Sequence, residues 1–177
     1  MTEHAVERDR CGILTLKEYV AEERRPEFCA YVQEMLDEGR GDIDHDFLGF
    51  IADYILYAEL LERKLSTHKA MSEGPFGRGP LPPLTVYDVG CASALQHVVF
   101  PPDIHYVGVD VFPQRPAPKF FRPNCRFVSG RWSEVADQLD IHPKYSIGIA
   151  NMSLLYSMSE ESEMAVFDRK FRSKFVL

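Results

Sequence analysis

The stretch VYDVGCASA, residues 86–94, decides how this chain is read. Val86, Tyr87, Asp88 and Val89 read as a buried strand, and Gly90 opens a tight turn. The turn continues through Cys91, Ala92, Ser93 and Ala94, residues small enough to let backbone approach a ligand. An acid at the end of an apolar strand with small residues behind it is a binding pattern, provided the rest of the chain supplies a sheet.

Downstream, it does. After LTVYDV the apolar runs HYVGVDV, CRFVSG and YSIGIAN are separated by polar stretches compatible with helix. Uninterrupted apolar runs suit strands covered on both faces, as in a parallel α/β sheet. Ser93–Val99 and Ser133–Leu139 read as short helices, Ser159–Arg172 as a longer one, and KFVL at 174–177 as a last strand. The run FPQRPAPKFFRP, 112–123, holds four prolines and cannot form a crossover helix. The expected fold is α/β, a Rossmann-like, mostly parallel sheet of about five strands with helices on both faces.

Upstream the texture is helical. Leu16–Arg24 and Glu27–Glu38 are short helical stretches parted at Pro26. A long helix follows, with Phe47, Ile51, Tyr54, Ile55, Ala58, Leu61 and Leu65 on one stripe at gaps of three and four. Residues 72–83, SEGPFGRGPLPP, hold four prolines and three glycines and read as a linker. The expected organisation is an N-terminal helical segment over 1–71, the linker over 72–83, and the core over 84–177. The long helix is expected to cover the pocket or contact the substrate.

Composition narrows the function. With 45% hydrophobic and 27% charged residues the chain can build a core. A net charge of −7 disfavours nonspecific binding to nucleic acid or to an anionic membrane. No apolar run reaches the length of a membrane span. The four cysteines (Cys11, Cys29, Cys91 and Cys125) form no C-x-x-C pair and read as free thiols of a cytoplasmic protein. His97, His105 and His142 lack partners at metal-ligand spacing. Cys91, inside the turn, is open to two readings, a packed thiol or a reactive one.

The cofactor is read from the turn and from Asp110. About twenty residues after the turn, Asp110 closes the second strand, where a carboxylate accepts hydrogen bonds from ribose hydroxyls. The three glycine positions of a dinucleotide fingerprint are Gly90, Ala92 and Leu95 here, and leucine is too large for close helix–strand contact. Asp88 would repel a pyrophosphate. It would welcome a cation such as the amino-acid end of S-adenosylmethionine.

On these residues the chain resembles the class I S-adenosylmethionine-dependent methyltransferases, over residues 84 to about 156. YDVGCASA is similar to that family's first motif, in which an acid and a hydrophobic residue lead into a glycine-rich turn. The resemblance implies that Asp88, Gly90 and Ala92 hold the methionine part, that Asp110 binds the ribose and that Val111 lies against adenine. Asn151, in IANMSLLY, matches the polar residue near the methyl group. Where the family often has a glycine–aspartate pair this chain has Gly130–Arg131, and Trp132 beside it either stacks on adenine or packs inside. NMSL differs from the asparagine–proline–proline–aromatic motif of enzymes acting on base amino groups. The family usually continues through a reversed final hairpin, so the core is expected to be incomplete at its C-terminus.

Two functions follow. One is an S-adenosylmethionine-dependent methyltransferase of unknown acceptor, without an assigned general base. The other is a catalytically inactive methyltransferase-like fold that binds a protein partner or regulates one; Arg131 and the acidic composition favour it. A nicotinamide-dependent oxidoreductase is the weaker third.

Overall fold

The computed structural model describes residues 26, 45–73, 79–91, 94–111, 122–150 and 161–171. The two early helical stretches, residues 112–121 of the proline-rich run, Ala92, Asn151 and KFVL lie outside the described residues, apart from Pro26. The chain divides into two compact units, Met1–Arg63 with Val98–Pro101, and Lys64–His97 with Pro102–Leu177.

In the first unit, helix α1 (His45–Glu73) begins; it continues unbroken into the second. Of the stripe expected from spacing, Tyr54, Ala58 and Leu61 are buried and Leu65 is half-buried. Tyr54 meets Tyr57 and Phe100 edge-on, at ring separations of 5.6 and 6.0 Å. Leu56 and Leu60, off the stripe, are exposed.

The second unit carries four parallel strands: β1 (Thr85–Val89), β2 (His105–Asp110), β3 (Cys125–Ser129) and β4 (Ser146–Ile149). Their order is β3-β2-β1-β4, so the chain steps outward from β1 to β3 and then returns past β1 to place β4. All four match runs identified in the sequence, and the described sheet has four strands rather than five. β1 and β2 lie in the middle, which is why Val86 to Val89 and Tyr106 to Val109 are buried without alternation.

One face of the sheet carries helices α2 (Trp132–Val135) and α3 (Glu161–Phe171). Tyr87, Val89, Val107 and Val109 project onto it and pack with Trp132, Val135, Ala136, Phe167 and Phe171. Gly148 of β4 makes the fit possible, since a Cβ there would lie 2.5 Å from a Phe171 ring carbon and 2.8 Å from Phe167. The opposite face carries Val86, Asp88, Tyr106 and Gly108, the alternate residues of the same strands. Over it runs the 3₁₀ segment Leu95–Val99.

Two expected helices are shorter than their sequence suggests. Where a helix over Ser93–Val99 is expected, the described residues form only the 3₁₀ segment Leu95–Val99, because Ala94 adopts a left-handed φ of 53° that a helix cannot include. Ser133–Leu139 is the single turn of α2 followed by a 3₁₀ turn, Ala136–Gln138. The last turns of α1 are tied to the loops that feed the strands. His68 Nε2 donates to Pro82 O at 2.8 Å, its ring meets Tyr145 edge-on, and Lys69 pairs with Asp103. These anchors lie at the amino edge of the sheet, whereas the turn after β1 lies at the carboxyl edge. No helix among the described residues is long and apolar enough to cross a membrane.

Candidate functional site

Strand order reverses between β1 and β4, and α/β sheets bind ligands beyond the carboxyl ends of the strands at such a switch point. The turn after β1 and the ends of β2 and β3 share this edge. Gly90 has φ 75°, a conformation costly for any residue with a Cβ. Its N–H donates to Val109 O at 2.7 Å, and the Cys91 N–H reaches the same carbonyl at 3.3 Å. Ala94 N donates to Cys91 O at 2.7 Å. These donors therefore face inward, unlike the outward N–H groups that cradle a phosphate.

Asp88 occupies a place that its sequence position does not suggest. It is fully buried, and its Oδ2 accepts from Tyr106 Oη at 2.6 Å and from Gln96 Nε2 at 2.7 Å. The carboxylate lies beneath the turn with no exposed surface. The reason is strand alternation, since Val86 and Asp88 share a face and Gly108, opposite Asp88, leaves space there. A Cβ on Gly108 would lie 2.7 Å from Cys91 Sγ.

Gln96 and His97 were not singled out as site residues by sequence reading. The Gln96 amide also donates to Cys91 O at 2.9 Å, joining strand, turn and 3₁₀ segment. His97 is buried, and its Nδ1 lies 2.6 Å from Ala94 O. A carbonyl only accepts, so this nitrogen carries the proton. The available signal was a pair of polar side chains directly after a small-residue turn that follows a buried acid.

Cys91 belongs to the same face. Burial, reinforced by the negative charges of Asp88 and Asp110, pushes its thiol far above the usual range. Of the two readings of this cysteine, the packed one fits; a thiolate nucleophile requires the opposite shift.

Asp110 ends β2 and is partly exposed, and Val111 beside it is 47% exposed. The backbone carbonyl of Asp110 accepts from Gly130 N at 3.0 Å, which clasps the ends of β2 and β3. Arg131 is exposed at that clasp. Trp132, by contrast, turns away into the core, only 2% exposed, with its ring stacked on Phe171 at 5.6 Å and tilted against Phe167. Its ring packs against these two phenylalanines inside the core. Its Nε1 has no hydrogen-bond partner among the described residues. At the start of α2, buried Glu163 accepts from the Ser133 N–H at 3.0 Å and from its hydroxyl.

The structure therefore brings Gly90, Asp110 and Val111 to one edge, sets Asp88 beneath that edge and separates Trp132 from it. Among the described residues no cluster of three His, Cys, Asp or Glu side chains could hold a metal ion. Comparison with protein-family models, curated proteins and solved structures gives no match to the chain.

Proposed function

We propose that the chain is an S-adenosylmethionine-dependent methyltransferase with a Rossmann-like core. The observation that carries this reading is a ribose-type acid, Asp110, beside a turn whose described N–H groups are spent on Val109 O and Cys91 O. A pyrophosphate needs outward N–H donors at this turn, whereas a cofactor with an adenosine and a cationic amino-acid end does not. The negative charges of Asp88 and Asp110, both felt at Cys91, also favour a cation at this edge. These features support S-adenosylmethionine over a nicotinamide dinucleotide.

In this reading Asp110 accepts from the ribose hydroxyls, Val111 lies against adenine, and Gly90 and Ala92 admit the methionine part. Asn151 follows β4 by two positions and is assigned to the methyl end. Transfer forms a bond from the acceptor nucleophile to the methyl carbon as the carbon–sulfur bond breaks, its electrons returning to sulfur. This step needs mainly alignment of the three centres, a task of positioning.

Arg131 favours the second reading, a methyltransferase-like fold that binds a protein partner without turnover. It stands exposed where the resemblance calls for an acid facing the adenine amine, and it has no acceptor to offer. Calorimetric titration with S-adenosylmethionine tests the proposal. Saturable binding is expected, weakened about tenfold or more in Asp110→Ala, since a charge-assisted hydrogen bond is lost. Absence of binding by the wild-type protein contradicts it. Binding without methyl transfer to any acceptor selects the second reading.

A further inference from the structure

We infer that Tyr106 and Gln96 are positioning residues of the cofactor turn, acting through the buried Asp88; this rests on the cofactor reading above. The turn needs such a device. Gly90 and Ala94 both adopt left-handed backbone, at φ 75° and 53°, and for alanine that conformation is intrinsically unfavourable. Among the described residues, backbone bonds run from Gly90 and Cys91 to Val109 O, from Ala94 to Cys91 O and from His97 to Ala94 O.

Side chains supply the rest. Tyr106, rooted in the central strand β2, directs its hydroxyl onto Asp88 Oδ2. Gln96 uses one amide nitrogen for two bonds, to the same carboxylate oxygen and to Cys91 O. The carboxylate is thus a fixed post at the end of β1, steadied from β2, to which Gln96 ties the middle of the turn. His97 Nδ1 donates to Ala94 O, three positions beyond Cys91. Every one of these side chains is buried, so the bonds act without competition from water.

None of these residues needs to touch the cofactor. Their effect is to hold the turn in its binding shape before the ligand arrives, which reduces the ordering cost of association. Removing the Tyr106 hydroxyl frees the carboxylate to move, and the turn's shape moves with it. Asp88 is therefore the hub of a scaffold built from β2 and the 3₁₀ segment.

The test uses the full chain, S-adenosylmethionine as probe, and two variants. In Tyr106→Phe, calorimetry is expected to show affinity reduced about tenfold, while the melting temperature stays within about 5 °C of wild type. In Gln96→Glu the new carboxylate repels Asp88 when charged and donates to it when protonated. Affinity of that variant, relative to wild type at each pH, is expected to recover as pH falls from 8 to about 5. A residue that only stabilises the fold does not produce that pH profile at a temperature where all proteins are folded. Wild-type affinity in Tyr106→Phe, or a flat relative profile in Gln96→Glu, overturns the inference while leaving the cofactor reading intact. A wild-type protein that fails to bind overturns both.

Discussion

On one face of the sheet, Tyr87, Val107 and Val109 meet Trp132, Phe167 and Phe171 in an apolar layer. On the other, Asp88 accepts short hydrogen bonds from Tyr106 and Gln96, and the His97 ring lies against Tyr106. Both faces are buried, yet they are held by different physics. The aromatic face depends on volume and shape and tolerates no extra atom beside Gly148. The polar face depends on each donor finding its acceptor, and it carries the turn at the carboxyl edge. The contrast suggests a division of labour in which one face holds the fold together and the other shapes the site.

The largest expected effect breaks the aromatic face. Trp132→Ala should lower stability by about 3–5 kcal/mol, the range for losing a large aromatic side chain from a core. In urea unfolding this appears as a lower midpoint at nearly unchanged slope. If Trp132 acts only in packing, affinity for S-adenosylmethionine measured well below the melting temperature should stay near that of wild type. A selective loss of affinity would reassign it to the site.

Gly148→Ala comes next. The added methyl must displace the rings of Phe167 and Phe171, at a cost of about 1–3 kcal/mol typical of overpacking. An unchanged melting temperature would mean that α3 shifts freely and that the aromatic face is looser than its geometry indicates.

The smallest effect probes the polar face through pH. The Cys91 thiol is held protonated in the folded chain, whereas in the unfolded chain it ionises near its usual pKa of about 8.5. The folded state therefore keeps a proton that the unfolded state releases, and stability falls as pH rises above that value. At pH 9.5 the loss should be about 1 kcal/mol relative to pH 7.5, and Cys91→Ala should show correspondingly less. Equal pH dependence in the two proteins would place the thiol in a more open environment.

Much of the fold was legible because its signals are local. The four strands follow uninterrupted apolar runs, and α1 follows one stripe containing Tyr54, Ala58 and Leu61. The missing helix after Gly90 was not legible, because it turns on the left-handed φ of Ala94, which residue type does not announce. The direction taken by Asp88 was hidden for a related reason. In a strand buried on both faces, apolar residues do not show which face the acid shares. The fate of Trp132 depended on Phe167 and Phe171, more than thirty positions away, and periodicity within one element carries no such information. Gly90, Asp110 and Val111 were read from a local motif, and the structure sets them along one edge. Gln96 and Tyr106 come from different elements and meet at Asp88 only once the sheet has formed.

The central claim is that the edge shaped by the polar face binds S-adenosylmethionine. Calorimetric titration of the intact chain, run in parallel with NAD and with the Asp110→Ala variant, tests it most directly. The account predicts saturable binding of S-adenosylmethionine, at least about tenfold weaker binding in the variant, and no binding of NAD. No heat with S-adenosylmethionine, or tighter binding of NAD, would contradict it.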